Sequence, residues 1–322
     1  VWGDRTPVFD GSKENSSDGF LLTLDKNGRI VSQWEYGVGD WNFEYLPAQA
    51  AELAGGGYLV CGEMRHLNAS TTWYNDESKG WIAKLDAGGK ILWQKAIGLI
   101  SSDTYKYVSL TGVREAAGGG YLCTGWYYST PTWSDSVVSI VVLKLDAAGK
   151  VLWQKAFDAG TYSSGSPFLI EVMNLFATKD GGCLLAGMDW VESNPWIVKL
   201  NTAGTPGWGR VFNAKDSDSD VEFRAASETK DQGCLIGGAV YPDSGDRLGW
   251  FAKVGPTGAL QTSRSYALGG HNYNHYQGLA ERRTGGYVFV GRSYDDYYSR
   301  EMWAMTTTPD GLTRATVKPD PF

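Results

Sequence analysis

The sequence contains little of what nucleic-acid-binding and membrane-spanning proteins depend on. Its 29 Lys and Arg are outnumbered by 36 Asp and Glu, which gives a formal net charge of -7, and there is no long basic run. Nucleic-acid binding requires a clustered positive surface, so this class of function is disfavoured. No stretch approaches the roughly 18 consecutive apolar residues of a membrane-spanning helix.

Cysteine is also scarce, and its copies lie far apart. Each of the four falls in a separate apolar, strand-like segment, at Cys61, Cys123, Cys183 and Cys234. A zinc site usually needs paired Cys-x-x-Cys ligands, so this spacing argues against metal binding. We interpret the four as small buried hydrophobic residues, with a disulfide as the alternative that sequence alone does not decide.

Glycine and aromatic residues are abundant instead, and they mark an internal repeat. One phrase reads WIAKLDAGGKILWQKA from Trp81 and VVLKLDAAGKVLWQKA from Val141, with looser copies from Phe20, Trp196, Trp250 and Trp303. Its turn glycines are Gly28, Gly89, Gly149, Gly204, Gly258 and Gly311. A second phrase lies between these copies, as in GGGYLVCG from Gly55 and GGGYLCTG from Gly118.

Each phrase has the pattern of a β-hairpin. Trp81, Ala83 and Leu85 alternate with Ile82 and Lys84 at the strand period of two, and a turn with late glycines follows at 86–89. We predict that the turn's Asp caps backbone amides and that its last Gly takes a positive φ. Two hairpins per repeat give four strands, here named A to D in chain order.

Four antiparallel strands at a period near 55 residues are typical of a propeller blade. The sequence therefore predicts an all-β, six-bladed β-propeller of four-stranded antiparallel blades, with residues 1–322 forming one domain. The approximate blades are 1–40, 41–100, 101–160, 161–214, 215–268 and 269–322.

The first blade is predicted to lack its innermost strand, strand A. The opening Val1-Trp2-Gly3-Asp4 aligns with Val60-Cys61-Gly62-Glu63, which is the end of a strand B. The absent strand either lies upstream of Val1 or is supplied by another chain. An open sheet edge is normally paired or covered, so self-assembly through the first blade is one expectation.

The phrases WxxKLDxxGxxxWQK and GGYLxxG resemble a family of bacterial secreted repeat propellers, over essentially the whole chain. The resemblance implies an extracellular or cell-surface location and no particular activity. The first phrase is also similar to quinoprotein propellers, in which Leu-Asp-x-x-x-Gly-Lys-x-x-Trp docks neighbouring blades. Those enzymes have more blades and commonly a vicinal Cys pair, which this chain lacks. We therefore expect no pyrroloquinoline quinone and no other cofactor.

The long B–C and D–A connections carry the candidate binding residues, because function concentrates in loops. The aromatic candidates are Trp41, Trp73, Tyr74, Tyr127, Tyr128, Trp133, Trp190, Tyr241, Tyr294, Tyr297 and Tyr298. Three interpretations stay open for them: packing of the loops onto the blades, contact with a partner, and stacking on sugars.

A calcium loop is a weaker candidate. Asp216, Asp218 and Asp220 alternate like the first ligands of such a loop, but the Gly and Glu that complete it are missing. A solvated acidic loop is the preferred interpretation.

The sequence thus favours a non-enzymatic extracellular binding or structural module. It would contact another protein or a surface polysaccharide through its loop-rich face or open first blade. The alternative is a carbohydrate-active enzyme or lectin-like sugar binder that uses loop aromatics and carboxylates.

Overall fold

In the computed structural model, the described residues are 2–5, 18–36, 43–66, 78–98, 106–129, 135–163, 170–190, 192–212, 220–241, 247–266, 273–294, 300–311 and 313–317. Their regular structure consists of strands, which form six antiparallel sheets in chain order. No helix within these ranges is long and apolar enough to cross a membrane.

The sheets follow one another along the chain. Sheet 1 contains β1 (Trp2–Arg5), β2 (Asp18–Leu24) and β3 (Ile30–Tyr36). Sheet 2 contains β4 (Phe43–Glu52), β5 (Tyr58–His66), β6 (Ser78–Leu85) and β7 (Ile91–Ile97). Sheet 3 contains β8 (Lys106–Glu115), β9 (Tyr121–Ser129), β10 (Asp135–Leu145) and β11 (Val151–Ser163).

The later sheets repeat the same order. Sheet 4 contains β12 (Ile170–Ala177), β13 (Cys183–Asp189), β14 (Asn194–Leu200) and β15 (Pro206–Val211). Sheet 5 contains β16 (Asp220–Glu228), β17 (Cys234–Tyr241), β18 (Leu248–Val254) and β19 (Leu260–Tyr266). Sheet 6 contains β20 (Tyr273–Glu281), β21 (Tyr287–Tyr294), β22 (Arg300–Thr307) and β23 (Thr313–Val317).

This arrangement confirms the predicted fold class. Five sheets have four strands in the order A-B-C-D, and sheet 1 has three, with β1 in the place of strand B. The chain divides into two compact units, Val1–Ala177 and Thr178–Phe322, and the boundary falls after β12. The single domain expected from the repeat stays a prediction.

The C–D turns have the predicted chemistry. In the turn between β6 and β7, Asp86 Oδ1 accepts hydrogen bonds from the amides of Gly88 and Lys90, both at 2.9 Å. Gly89 closes this turn at a φ of 92°, where a side chain would be strained. Asp25, Asp146 and Asn201 cap their own turns in the same way.

The core of the first unit lies between successive sheets. Trp81, Ala83 and Leu85 of β6 pack against Leu21 of sheet 1. Ile82, on the opposite face of the same strand, packs against the buried residues of sheet 3. The alternation read from the sequence therefore describes a sheet that is covered on both faces, as repeats stacked in series require.

Tryptophans of strand D reach from one sheet to the next turn. A Cβ added to Gly149 would lie 2.9 Å from the ring of Trp93, so this ring occupies the space above the turn. In the second unit Trp208 lies against Gly258 and donates from Nε1 to the carbonyl oxygen of Pro256 at 3.0 Å. In each unit, a strand D tryptophan therefore packs against the C–D turn of the following sheet.

Candidate functional site

Four aromatic candidates share one position in their sheets. Tyr128, Trp190, Tyr241 and Tyr294 each stand three residues after the glycine that ends the second repeat phrase, at Gly125, Gly187, Gly238 and Gly291. They lie where strand B meets the B–C connection, which we call the loop-side edge. The sequence analysis selected these four residues but did not recognise that their positions are equivalent. The constant spacing from the last glycine of the second repeat phrase could have shown this.

The glycine at this position is required by a bulge in strand A. In sheet 5 the register shifts between Phe223 and Ala225, which leaves Arg224 as the extra residue. A Cβ on Gly238 would overlap the carbonyl oxygen of Glu222. Sheets 2, 3 and 6 shift at the equivalent place. Bulges commonly redirect side chains next to binding sites.

The redirected strand forms a polar cluster at the loop-side edge of sheet 5. The Tyr241 hydroxyl donates a hydrogen bond to Glu222 Oε2, and Arg224 pairs with Glu222 Oε1. The Arg247 guanidinium lies 4.3 Å from the centroid of the Tyr241 ring. We call these four residues the Tyr241 cluster.

The Tyr241 cluster is suited to recognition. Burial and then the Glu222 carboxylate raise the pKa of the Tyr241 hydroxyl to about 12. The phenol therefore stays protonated near neutral pH, where it acts as a hydrogen-bond donor and not as a nucleophile. Its ring and the guanidinium above it form a stacked pair of the kind found at interfaces.

Trp190 presents an aromatic surface in the same unit. It follows β13 directly and is 44% exposed. The amide of Glu192 donates to Asp189 Oδ1 at 3.2 Å, and both acidic residues are close to Trp190 in the sequence.

A cavity lies at the loop-side edge of the first unit. It has a volume of about 170 Å³ and is lined by Gly125, Trp126, Val138, Ile140, Ile170, Glu171 and Val172. These residues come from the end of β9, the start of β10 and the start of β12. None of the seven was selected from the sequence, because nothing in the repeat phrases signals a space between two sheets.

Other candidates have different positions. Tyr127, expected in a loop, lies in β9 and is buried in the core of the first unit, so its role there is packing. Asp220 is exposed at the start of β16. The remaining candidates lie outside the described residues: Trp41, Trp73, Tyr74, Trp133, Tyr297, Tyr298, Asp216 and Asp218. Over the described part of the chain, no group of His, Cys, Asp or Glu is arranged to hold a metal ion.

The cysteines match the preferred interpretation. All four are buried and carry free thiols. Burial raises the pKa of the Cys61 and Cys234 thiols to about 12, so thiolate chemistry is suppressed at both.

The repeated antiparallel sheets define the class of protein as a β-propeller. Two crystal structures of puromycin hydrolase have the same fold, each with a TM-score of 0.50, at 12% and 11% identity. The match covers 99% of this chain and 46% of theirs, so the chain spans less than half the length of that enzyme. A GH43 β-1,3-galactosidase matches with a TM-score of 0.38 at 9% identity, over 91% of this chain and 96% of that one. Neither a protein-family model nor a curated protein matches the sequence.

Proposed function

We propose that this chain is a non-enzymatic, extracellular binding module that contacts a partner protein through the loop-side edge of its second unit. The observation that carries the proposal is the repeated aromatic position, which gives an exposed Trp190 and the Arg-covered Tyr241. Tryptophan, tyrosine and arginine dominate the binding energy of protein interfaces. The resemblance to secreted repeat propellers supports the extracellular location.

The chemistry of the Tyr241 cluster supports binding more than catalysis. Glu222 is engaged by both Tyr241 and Arg224, so its carboxylate is held in place before any partner arrives. Such preorganisation reduces the side-chain entropy lost on binding. The single O–H of Tyr241 is already donated to Glu222, so the cluster offers a partner the Tyr241 ring and the Arg247 guanidinium.

A carbohydrate-binding role is the second candidate, and Trp190 favours it. Sugars stack their apolar faces on exposed aromatic rings and donate hydroxyl hydrogen bonds to nearby carboxylates. Asp189 and Glu192 lie within two residues of the exposed Trp190 in the sequence, and their carboxylates would provide such acceptors. A lectin-like module would use the same edge with a polysaccharide in place of a protein.

Affinity capture with matched variants tests the proposal. The purified chain is immobilised and exposed to secreted proteins of its source organism and, separately, to a glycan array. We expect one protein to be retained by the unaltered chain and lost at least tenfold in Trp190→Ala and Arg247→Ala. Leu260→Ala is the control, because Leu260 is an exposed apolar residue at the turn end of β19.

Two results would contradict the proposal. Equal retention of the protein by Trp190→Ala and the control would remove the loop-side edge from the interface. Glycan binding that depends on Trp190, without a retained protein, would establish the second candidate instead.

A further inference from the structure

The recurring strand C tryptophan donates its indole N–H to a strand D side chain in sheets 2 and 5. Trp81 Nε1 donates to Gln94 Oε1 at 3.1 Å, and Trp250 Nε1 donates to Ser263 Oγ at 3.0 Å. Trp196 of β14 is their equivalent in sheet 4 and is only 8% exposed. Its Nε1 is buried, yet no atom of the described residues accepts its hydrogen bond. Buried donors without an acceptor are rare in folded proteins, so this group indicates a place for an acceptor from another molecule.

A glycine in β15 explains why the acceptor is missing. Gly209 pairs with Val198, which stands two residues after Trp196. Gln94 and Ser263 have the same register relative to their own tryptophans. By this equivalence the Trp196 N–H is directed towards the space above Gly209, where sheets 2 and 5 have a polar side chain.

The fold does not require glycine at Gly209 or at Gly207, which precedes it in β15. Neither residue has a positive φ. A Cβ on Gly209 would lie 3.4 Å from Val198 Cγ2, and a Cβ on Gly207 would lie 3.7 Å from its nearest neighbour, so both would make ordinary contacts. Both glycines are exposed, and they leave a shallow depression that we call the β15 trough. A glycine inside a strand often marks a close approach by another backbone.

The β15 strand also offers a free edge. It is the outer strand of sheet 4, and no strand within the described ranges pairs with its far side. The backbone groups of such an edge are available to an added strand. Trp208 and Arg210, which alternate with the glycines, donate instead to the carbonyl oxygens of Pro256 and Gly258 in the next sheet. The cation of β15 is therefore engaged away from the trough.

These features select the chemistry of the ligand. A neutral carbonyl oxygen suits the Trp196 donor, because a carboxylate there would lose water without gaining a cation from β15. A glutamine side chain would repeat the acceptor that Gln94 supplies in sheet 2. An extended peptide uses both features at once, since its backbone pairs with the edge while a side chain covers the glycine.

We propose that β15 binds an extended segment of a partner protein as an added strand. A glutamine of that segment lies over Gly209, and its side-chain carbonyl oxygen accepts the hydrogen bond of Trp196. The proposal uses only β14 and β15, and it does not depend on the surface at Trp190.

The capped peptide Ac-Val-Thr-Gln-Thr-Val-NH2 is the probe, with valines on the glutamine face to contact the exposed Val211. The same peptide with leucine in place of glutamine is the matched ligand without the acceptor. Binding is followed on the full chain by the indole N–H resonance of Trp196 in a ¹⁵N correlation spectrum, assigned by its loss in Trp196→Phe. We expect a saturable shift with the glutamine peptide and at least tenfold weaker binding of the leucine peptide.

N-methylated peptides test the strand pairing. In an extended peptide the glutamine amide and the threonine amides point to opposite sides, so only one set faces β15. We expect N-methylation of one set to weaken binding at least tenfold, and N-methylation of the other set to leave it within twofold.

A variant that fills the trough tests the role of the glycine. Gly209→Gln restores the side chain that Gln94 provides in sheet 2, and we expect it to weaken peptide binding at least tenfold. Ser263→Gln is the control, since it introduces the same side chain at the equivalent position of β19 and keeps an acceptor for Trp250. Unchanged indole resonances of tryptophans away from the substitution show that each variant is folded.

Several outcomes overturn the proposal. Equal binding of the leucine peptide, or unchanged binding by Gly209→Gln, removes the glutamine acceptor from the interaction. Full binding of both N-methylated peptides rejects the added strand. N,N′-Diacetylchitobiose binding at least tenfold tighter than the peptide assigns the trough to an acetamido sugar. A Trp196 resonance that no peptide shifts rejects the site itself.

Discussion

At the residue scale, the A–B turns of the second unit contain a repeated ion pair between a buried lysine and a partly exposed aspartate. Lys253 is 6% exposed, and its Nζ donates to both carboxylate oxygens of Asp231 and to the carbonyl oxygen of Val254, at 2.8–3.0 Å. Lys199 and Asp180 form the same contact one sheet earlier. Each lysine ammonium group is therefore buried at a place where protein oxygen atoms accept the hydrogen bonds that water would otherwise accept.

The pKa of the aspartate determines how the stability contributed by the Lys199–Asp180 pair changes in acid. Partial burial raises the pKa of Asp180, but hydrogen bonds from Lys199, Thr178 and the amide of Gly182 outweigh burial and lower it to about 2. Because the folded pKa is depressed, this stabilisation is fully present above the unfolded pKa of about 3.9. It is lost as the pH falls through the folded value near 2.

Replacing Asp231 by Asn should lower the free energy of unfolding by about 1–2 kcal/mol at pH 7, because Lys253 loses its counter-charge, while solvent at the 42% exposed aspartate screens part of the effect. Urea denaturation measures the change. Glu192→Gln, at an exposed carboxylate, should stay within about 0.5 kcal/mol. Adding Lys253→Met to Asp231→Asn should restore most of the loss. A single Asp231→Asn variant as stable as the control would show that the pair contributes nothing.

At the scale of elements, the tryptophan of one strand D and the turn of the next sheet act as a unit. Gly149 and Gly118 both have positive φ, at 78° and 85°. Only Gly149 lies under a ring, since a Cβ on Gly118 would meet nothing within 4 Å. Substitution at Gly118 therefore tests backbone strain alone, whereas substitution at Gly149 tests strain together with packing between sheets.

Gly118→Ala should cost about 1 kcal/mol from strain alone, and Gly149→Ala a further 1–3 kcal/mol from overlap with Trp93. Thermal and urea unfolding of the two variants give the difference. In a Trp93→Leu background the two alanines should become equivalent, because the overlapping ring is gone. If the difference persisted there, some contact other than the ring would have to explain it.

The elements also show what the sequence could and could not predict. The hairpins at Trp81 and Val141 follow from alternation, capping Asp and turn Gly, all of which are local. The bulge at Arg224 and the cavity at Ile140 depend on how strand A meets a neighbouring strand, and no local pattern records that. Tyr127 was expected in a loop because strand B runs further than its glycine phrase indicates.

At the scale of the whole molecule, sheet 1 differs from the other five. β1 pairs with β2, and its other edge has no partner strand within the described ranges. Unpaired edges of this kind recruit strands from other chains. Sheet 1 is therefore the place where a further strand would add to the fold.

Self-assembly through this edge predicts a molar mass of at least twice 35.1 kDa. Light scattering after size exclusion measures it. A synthetic peptide with the β4 sequence FEYLPAQAAE should compete, because β4 is the strand A of the next sheet. A single species of 35.1 kDa at all concentrations would reject self-assembly.

Each strand D tryptophan of the first unit described above contacts a turn that lies later in the sequence. Trp34 and Trp93 are synthesised before Gly89 and Gly149, the turns that they cover. As the chain leaves the ribosome, each new turn meets a tryptophan that has already been synthesised. The first unit can therefore assemble in chain order during translation, and the second face of each sheet is covered when the following sheet is made.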